Sequence, residues 1–315
     1  MFLSEPGGVS GRRRISIRLT EFPETPPDTF GGVFCGYRFQ DLQATGFSGG
    51  PFLLETGGES RFFSGLSHGR QHVEIDIVGQ QMTPATAAWR AEEVRQINER
   101  FEGAHPSDVL RWAVETVTPG RLIVASSFGA TGMVNLHLLA EIAPQVPVAF
   151  VDTLYHFPET MEHAERVKAH YDLDVRVYWP AASRTEFEEE YGERLWERDL
   201  DLFHRLTRIE PMKQALIGVE GWITGRRRDQ SDSRSALAHV EIGDRIKVNP
   251  VASWSADEVW SFLRANGVPY NPLHDMGYLS LGDQPLTTPV SEEEHERAGR
   301  WRGSERLECG IHGLT

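Results

Sequence analysis

The residue best suited to covalent chemistry is Cys309, which lies in the segment 308–312. Glycine follows it, and a group of basic residues precedes it: Arg297, Arg300, Arg302 and Arg306. Nearby positive charge lowers the pKa of a thiol and favours the nucleophilic thiolate, although Glu308 acts in the opposite direction. The competing interpretation is an incidental cysteine near a terminus. The other cysteine, Cys35, lies in an apolar stretch and is typical of a small buried side chain.

A second candidate site is the basic run within residues 225–234, which contains Arg226, Arg227 and Arg234. Guanidinium groups match the geometry of phosphate and sulfate oxygens. Basic runs are usually solvated surface. Here, however, three consecutive arginines follow a predicted strand in a protein whose net charge is −14. This pattern favours an anion site.

Two further loops carry polar groups directly after predicted strands. The first contains Ser126, Ser127, Phe128 and Gly129, and it matches neither the Walker pattern nor the dinucleotide glycine pattern. Backbone N–H groups and hydroxyls at such a turn bind anions at a helix N-terminus, although a plain connecting loop is equally compatible. The second begins with Asp152 and Thr153, and Asp152 is suited to hold a ribose hydroxyl. The alternative for Asp152 is a polar cap on the loop.

The elements that must position these loops alternate between strand and helix. Apolar stretches at 122–125, 146–151, 175–178, 221–224 and 246–251 are separated by helical stretches near 132–142, 159–171, 202–218 and 255–266. This alternation predicts an α/β fold, with a parallel sheet covered by helices on both faces. Ligands of such sheets bind beyond the carboxyl ends of the strands, where the three candidate loops lie.

Three regions are predicted along the chain. Residues 1–82 are rich in glycine and turns, and alternate in polarity at 15–19 and 73–78, which indicates a small β-rich module of unknown role. Residues 83–290 form the nucleotide-binding α/β domain, which opens with helices at 83–101, capped by Thr83-Pro84, and 107–117. Residues 291–315 form a catalytic tail, within a charged and glycine-rich stretch from 284 that is predicted to be mobile.

Composition excludes several classes of protein. The net charge of −14 over 315 residues disfavours a nucleic-acid partner. Two cysteines are too few for a disulfide framework or for an iron–sulfur cluster bound only by cysteines. No apolar run is long enough to span a membrane, and the N-terminal segment does not resemble a secretory signal, so a cytoplasmic protein without membrane contact is predicted.

Seven segments in order resemble the phosphoadenylyl-sulfate (PAPS) reductase family, whose members are thiol enzymes of sulfate assimilation. The resemblance covers about residues 105–315. The segments read SSFGATG (126–132), VDTLYHFPET (151–160), DLFHRLTRIEPMKQAL (201–216), TGRRRDQSDSR (224–234), PYNPLHDMGYLSLGD (269–283), ERAGRWRG (296–303) and ECGIH (308–312). Each segment alone is weak evidence, but seven in family order are highly specific. Residues 1–80 match nothing in the family.

The resemblance implies an adenine-nucleotide α-hydrolase-like fold, a homodimer and a reaction. The thiolate of Cys309 attacks the sulfonate sulfur of PAPS, and thioredoxin or glutaredoxin then releases sulfite. The resemblance further implies a group of substrate-binding residues, in which the loop after the first strand cradles the phosphosulfate and arginines face the phosphates. These residues are Ser126, Ser127, Phe128, Gly129, Asp152, Thr153, Arg226, Arg227, Arg234, Arg300, Arg302 and His312.

The resemblance also distinguishes two groups of enzymes. Related adenylyl-sulfate (APS) reductases bind a [4Fe–4S] cluster through two cysteine pairs, and the matching positions here are Phe203, His204, Asp283 and Leu286. The absence of all four thiols predicts an enzyme without a cluster or metal that acts on PAPS. However, Pro285 replaces a histidine found in many PAPS reductases, which leaves a cluster-free APS reductase as the alternative.

Two other functional classes compete. ATP pyrophosphatases and sulfate adenylyltransferase subunits typically carry an SGGKDS-like loop, and residues 126–129 lack its lysine and second glycine. A nucleotide-binding regulator without catalytic activity is the other possibility, but it gives no reason for the segment 308–312.

Overall fold

The computed structural model describes residues 89–291, 293–302, 308 and 310–314, together with the backbone of six strands between residues 12 and 78. The chain divides into two compact units, Met1–Thr83 and Pro84–Thr315. Cys309 and Cys35 both lie outside the described residues, as does the predicted helix start at Thr83-Pro84.

The first unit contains three antiparallel strand pairs, β1–β6, β2–β3 and β4–β5. The two stretches of alternating polarity lie in strands that pair with each other, with Ile15 opposite Ile75 and Ile17 opposite Val73. The strands are β1 (Arg12–Arg18), β2 (Phe30–Phe34), β3 (Tyr37–Leu42), β4 (Phe52–Thr56), β5 (Glu59–Phe63) and β6 (His72–Val78).

The second unit is built on a six-stranded sheet of order β11-β12-β10-β7-β8-β9, in which all neighbouring pairs except β11–β12 are parallel. The strands are β7 (Leu122–Ala125), β8 (Val148–Val151), β9 (Val175–Tyr178), β10 (Gly221–Ile223), β11 (Val240–Ile242) and β12 (Ile246–Val248). The predicted parallel α/β fold is confirmed. The antiparallel edge strand β11 was not predicted, because its three residues are too few to show a period.

Helices connect these strands, and most begin with a recognisable N-terminal signal. Pro106 and Pro158 each occupy the first turn of their helix, while Ser255 and Glu258 form a capping box. The helices are α1 (Ala91–Phe101), α2 (Pro106–Thr116), α3 (Ala130–Ile142), α4 (Pro158–Tyr171), α5 (Arg184–Tyr191), α6 (Leu195–Arg198), α7 (Leu200–His204), α8 (Glu210–Ala215) and α9 (Ala256–Ala265). None of the helices in the described part of the chain has the length and apolar content that crossing a bilayer requires.

Two helix predictions need correction. The helix predicted over 83–101 is not continuous, because Trp89 and Arg90 are not helical and α1 begins at Ala91. The stretch predicted as one helix over 202–218 is divided into α7, a single π-helical turn at Arg205–Ile209, and α8. The π turn widens the helix by one residue, and such insertions often occur at functional sites.

Successive side chains of a strand point to opposite sides, so the sheet has two faces with separate apolar cores. The first face packs against α1, α2, α3, α4 and α9 through side chains that include Leu122, Val124, Val148, Phe150, Ile223 and Val248. The second face packs against α8 through Ile123, Ala149 and Trp222, and it also contacts Ile311 and Leu314 near the end of the chain. Both faces are therefore covered, as predicted, but the second one partly by the C-terminal segment.

Candidate functional site

A cavity opens at the carboxyl ends of β7, β8 and β10. Strand order reverses here: β8 and β9 follow on one side of β7, whereas β10 and β12 lie on the other. Ligands of open α/β sheets bind at such a switch point because the loops from the two central strands diverge and leave a crevice. Its lining includes Ser126, Ser127 and Gly129 after β7, and residues 224–227 after β10.

The loop after β7 is held by its own side chains. The Ser126 hydroxyl accepts a hydrogen bond from the Phe128 N–H at 3.0 Å. Phe128 has a positive φ of 57°, and its fully buried ring packs edge-on against Phe150. Phe128 therefore contributes to the loop through its backbone, and its side chain does not line the cavity. Gly129 is the N-cap of α3, so the N-terminus of that helix points its free N–H groups toward the cavity.

Close backbone packing shapes the same corner. A Cβ atom on Gly225 would lie 3.1 Å from the Gly132 nitrogen, and one on Gly132 would lie 2.7 Å from the Ser126 hydroxyl oxygen. A side chain on Gly225 would push the loop after β10 away from the backbone of α3, and one on Gly132 would displace the Ser126 hydroxyl.

Three predicted arginines line the cavity and are buried, with exposed fractions of 8%, 2% and 8% for Arg226, Arg227 and Arg234. Each is paired with a carboxylate. Arg226 contacts Glu241, and Arg227 donates to Glu296 at 2.7 Å. Arg234 donates from Nε and Nη2 to the two oxygens of Glu308, both at 2.6 Å. Each of the three guanidinium groups therefore already binds a carboxylate, and the pairs balance one another's charge.

The bidentate pair with Arg234 changes the pKa of Glu308. Burial alone would raise the pKa of Glu308, but the hydrogen bonds and charge of Arg234, together with Arg297, lower it below its ordinary value. Arg297 lies 3.7 Å from the same carboxylate and also lines the cavity. The sequence had indicated Arg297 only as one of the basic residues that precede Cys309.

The tail arginines separate into two groups. Arg300 lines the cavity, donates to the Leu281 carbonyl at 2.7 Å and lies over the ring of Trp301. Arg302 does not line it, because its guanidinium pairs with Glu294 at 2.9 Å on the protein surface. Although the tail was predicted to be mobile, Trp301 is only 3% exposed and donates to His204 Nε2 at 3.3 Å.

Asp152 and Thr153 do not line the cavity either. The Asp152 carboxylate accepts a hydrogen bond from the Leu154 N–H at 2.9 Å, which is the polar-cap alternative for this residue. Thr153 is fully buried and donates to Asp283 at 2.6 Å. The structure therefore gives both residues roles in holding the loop after β8.

A buried ion pair that the sequence did not predict lies at the wall of the cavity. Arg208, from the π turn, lines the cavity and pairs with the fully buried Asp283 at 2.7 Å. Burial alone would raise the pKa of Asp283, but Arg208 and nearby hydrogen bonds lower it to about 2. Asp283 and the neighbouring His204 are two of the four positions that the sequence resemblance matches to cluster cysteines. Among the described residues, no group of three or more His, Cys, Asp or Glu side chains is arranged to hold a metal ion.

His312 lines the cavity from the C-terminal segment, and its ring stacks on Trp222 with a centroid separation of 5.9 Å. Desolvation, followed by the charges of Arg226 and Arg234, lowers the pKa of His312 well below its ordinary value, so the ring is neutral at pH 7. Its backbone carbonyl accepts a hydrogen bond from Lys247 Nζ at 2.8 Å. Lys247 was not predicted, although a lysine between Ile246 and Val248 is an unusual residue in an apolar strand.

Comparison with known proteins agrees with this geometry. Residues 121–289 match the model of the phosphoadenosine phosphosulfate reductase domain. A phosphoadenosine phosphosulfate reductase from Emericella nidulans is 40% identical over 227 residues, which cover 69% of this chain and 74% of that protein. An adenosine 5'-phosphosulfate reductase from Halalkalibacterium halodurans is 39% identical over 223 residues, covering 70% and 96%.

The crystal structure of a PAPS reductase from Candida auris, determined as a phosphate complex, has a similar fold. It matches with a TM-score of 0.58 and 36% identity, and the match covers 64% of this chain and 98% of that one. The sheet is therefore of the predicted adenine-nucleotide α-hydrolase-like type.

Proposed function

Because the chain belongs to the phosphoadenosine phosphosulfate reductase family, we propose that it reduces 3'-phosphoadenylyl sulfate to sulfite and adenosine 3',5'-bisphosphate. The observation that carries this proposal is the bidentate pair between Arg234 and Glu308. It demonstrates an oxyanion bound by the arginine cluster, and the residue that supplies the oxyanion directly precedes Cys309. The proposed nucleophile is thus one peptide bond away from a carboxylate that is held in the arginine cluster.

The first half of the reaction transfers a sulfonate group to the enzyme. The Cys309 thiolate attacks the sulfonate sulfur, a sulfur–sulfur bond forms, and the bond from that sulfur to the phosphate oxygen breaks. The electron pair of the broken bond leaves on the nucleotide phosphate. Arginines close to the departing oxygens stabilise the charge that develops there.

The second half restores the thiol and needs an external dithiol, which we propose to be thioredoxin or glutaredoxin. One thiolate of the donor attacks the sulfur of Cys309 and expels sulfite, which carries away the two electrons of the broken sulfur–sulfur bond. The second donor thiol then displaces the Cys309 thiolate and closes the donor's disulfide.

The cavity supports specific roles in substrate binding. We propose that Ser126, Ser127 and the N-terminus of α3 hold the phosphosulfate, because hydroxyl and N–H donors line the cavity there. Arg226, Arg227 and Arg234 would face the phosphates, and Arg300 and His312 would close the tail side. Since Phe128, Asp152, Thr153 and Arg302 do not line the cavity, we propose that they act only by holding their loops.

We propose that the enzyme works in the cytoplasm as a homodimer and without an iron–sulfur cluster. The chain has two cysteines, whereas a cluster bound by four cysteines would need twice that number. Iron analysis of purified protein tests the absence of a cluster, and light scattering tests the homodimer. Stoichiometric iron, or a monomer at working concentration, would refute the respective proposal.

The decisive experiment uses mass spectrometry on enzyme mixed with PAPS in the absence of reductant. A sulfonate adduct should appear on the peptide that contains Cys309, and thioredoxin should release it as sulfite. Cys309→Ser should form no adduct, whereas Cys35→Ser should behave as the wild type. Adduct formation or sulfite production by Cys309→Ser would refute the mechanism.

APS is the second candidate substrate, because relatives named adenosine 5'-phosphosulfate reductase match the chain at 39–41% identity, as closely as those named for PAPS. Parallel kinetics with the two nucleotides, each with thioredoxin present, separate the alternatives. A kcat/KM for PAPS well above that for APS supports our assignment. Equal values would show that the 3'-phosphate is not recognised.

A further inference from the structure

Lys247 is a buried lysine in the middle of the sheet. It lies at the centre of the three-residue strand β12, and only 1% of it is exposed. Ile246 and Val248 point to the first face, so Lys247 points to the second. It pairs in register with Trp222 of β10, which is part of the apolar core of that face.

The contacts of Lys247 lead to the C-terminal segment. Its Nζ donates to the His312 carbonyl at 2.8 Å and lies 5.0 Å from the centre of the Trp222 ring, on which the His312 ring also stacks. The cross-strand neighbour of Lys247 is Glu241, whose carboxylate pairs with Arg226 and accepts from Asn249. Within the described residues, the hydrogen bond that Nζ donates therefore goes to the tail rather than to a carboxylate.

Burying an ammonium group inside a sheet is energetically unfavourable. Removing an ion from water costs several kcal/mol in a protein, and a backbone carbonyl compensates only part of that cost. Burial, with the nearby charge of Arg226, lowers the pKa of Lys247 to about 8, against the opposing effect of Glu241. An apolar residue at this position would stabilise the sheet more than a lysine does. The presence of a lysine is therefore best explained by the hydrogen bond that it donates to the His312 carbonyl.

We propose that Lys247 is a positioning residue that docks the segment 310–314 on the second face of the sheet. Ile311 and Leu314 pack into the apolar core there, and Lys247 fixes the backbone between them. Gly310, with a φ of 86°, provides the turn that leads into this docked segment. On the other side of residue 309, Glu308 is bound to Arg234.

The consequence for catalysis rests on the proposed function. Two anchors, at Glu308 and at His312, enclose the thiol within a five-residue segment, which limits where its sulfur can be. An anion that displaces Glu308 releases only the first anchor, and Lys247 keeps the second in place. Restricting the nucleophile in this way lowers the entropic cost of reaching the sulfonate.

Hydrogen exchange of the C-terminal peptide in full-length protein tests docking without any need for activity. Lys247→Met keeps an apolar chain against Trp222 but removes the donor. Exchange within 310–314 should become faster by roughly tenfold or more, since a hydrogen bond from a charged donor contributes about 1.5–3 kcal/mol. Lys213→Met is the matched control, because Lys213 is exposed and pairs with Glu210 on α8; it should not change exchange.

Unchanged exchange in a folded Lys247→Met protein would overturn the proposal. If that variant does not fold, Lys247→Gln provides the same comparison with a polar, uncharged side chain. Faster exchange in Lys247→Gln supports the proposal, and wild-type exchange in it contradicts the role of the charged donor.

Kinetics provide the second measurement. In Lys247→Met, adduct formation at Cys309 in a single turnover should slow roughly tenfold or more. The dissociation constant for adenosine 3',5'-bisphosphate should stay close to that of the wild type. Weaker nucleotide binding with an unchanged rate would identify Lys247 as a ligand-binding residue and overturn the positioning role. Failure of the wild type to form any adduct would instead refute the proposed function, while the exchange result would still decide whether Lys247 docks the tail.

Discussion

The two faces of the six-stranded sheet are covered in different ways. The first is packed against five helices through an apolar core that includes Leu136 and Phe150. The second is packed against α8 and the C-terminal segment, and a lysine lies among its apolar side chains. The first face therefore supplies most of the stability. The second gives up some apolar packing to hold a segment that directly follows Cys309, the proposed nucleophile.

The largest expected contrast is in stability. Leu136→Ala on the first face, where Leu136 is fully buried, should lower the free energy of unfolding by about 2–5 kcal/mol. Ile311→Ala on the second face should lower it by about 1 kcal/mol or less, because Ile311 is only partly buried and lies in a terminal segment. Urea unfolding of both variants measures this. Equal losses would mean that the C-terminal segment belongs to the cooperative core.

A smaller effect is expected at the boundary between the second face and the cavity. Glu308→Gln should tighten the binding of adenosine 3',5'-bisphosphate by up to about tenfold, because the competing carboxylate on Arg234 is removed. Titration calorimetry measures the dissociation constants. Glu294→Gln, which alters a pair with Arg302 outside the cavity, is the control and should bind as the wild type does. Weaker binding in Glu308→Gln would show that the carboxylate orders the arginines instead of competing with the nucleotide.

A third expected effect is a pH dependence that belongs to the second face. Lys247 has a pKa of about 8 in the folded chain, against an ordinary value of 10.5. Between these two values the unfolded chain binds more protons than the folded chain, so this lysine adds stability as the pH rises. The difference in unfolding free energy between wild type and Lys247→Met should therefore shift in favour of the wild type from pH 7 to pH 9.5. A shift in the opposite direction would contradict the assignment.

The sequence predicts the framework of the fold because strand and helix periods are local. The stretches 122–125 and 175–178 are strands with those bounds, and the candidate loops do follow the strands. The edge strand β11 and the π turn were not predicted, since neither depends on a local period. The π turn brings Arg208 to Asp283, which is 75 residues away along the chain, and no spacing rule signals such a pair.

The candidate site was predicted in part for the same reason. Arg226, Arg227 and Arg234 line the cavity because the whole run leaves β10 at its carboxyl end. Asp152 follows β8 in an equivalent place, but its carboxylate accepts a hydrogen bond from the Leu154 N–H of its own loop. Residue type alone does not show whether such a carboxylate binds its own loop or a ligand. Lys247 was missed because its role depends on the C-terminal segment that packs over it. The sequence does not show that these two parts of the chain are in contact.

The carboxylates that accompany the arginine cluster have a consequence for how ligands are selected. Arg226, Arg227 and Arg234 are neutralised by Glu241, Glu296 and Glu308 before any ligand arrives. Nucleotide entry is thus an exchange of one counter-ion for another, so the long-range attraction that draws in simple anions is largely cancelled. Chloride or inorganic sulfate at cellular concentrations gains little from such an exchange. A nucleotide that also makes contacts along the rest of the crevice gains more, and its affinity should change only weakly with ionic strength.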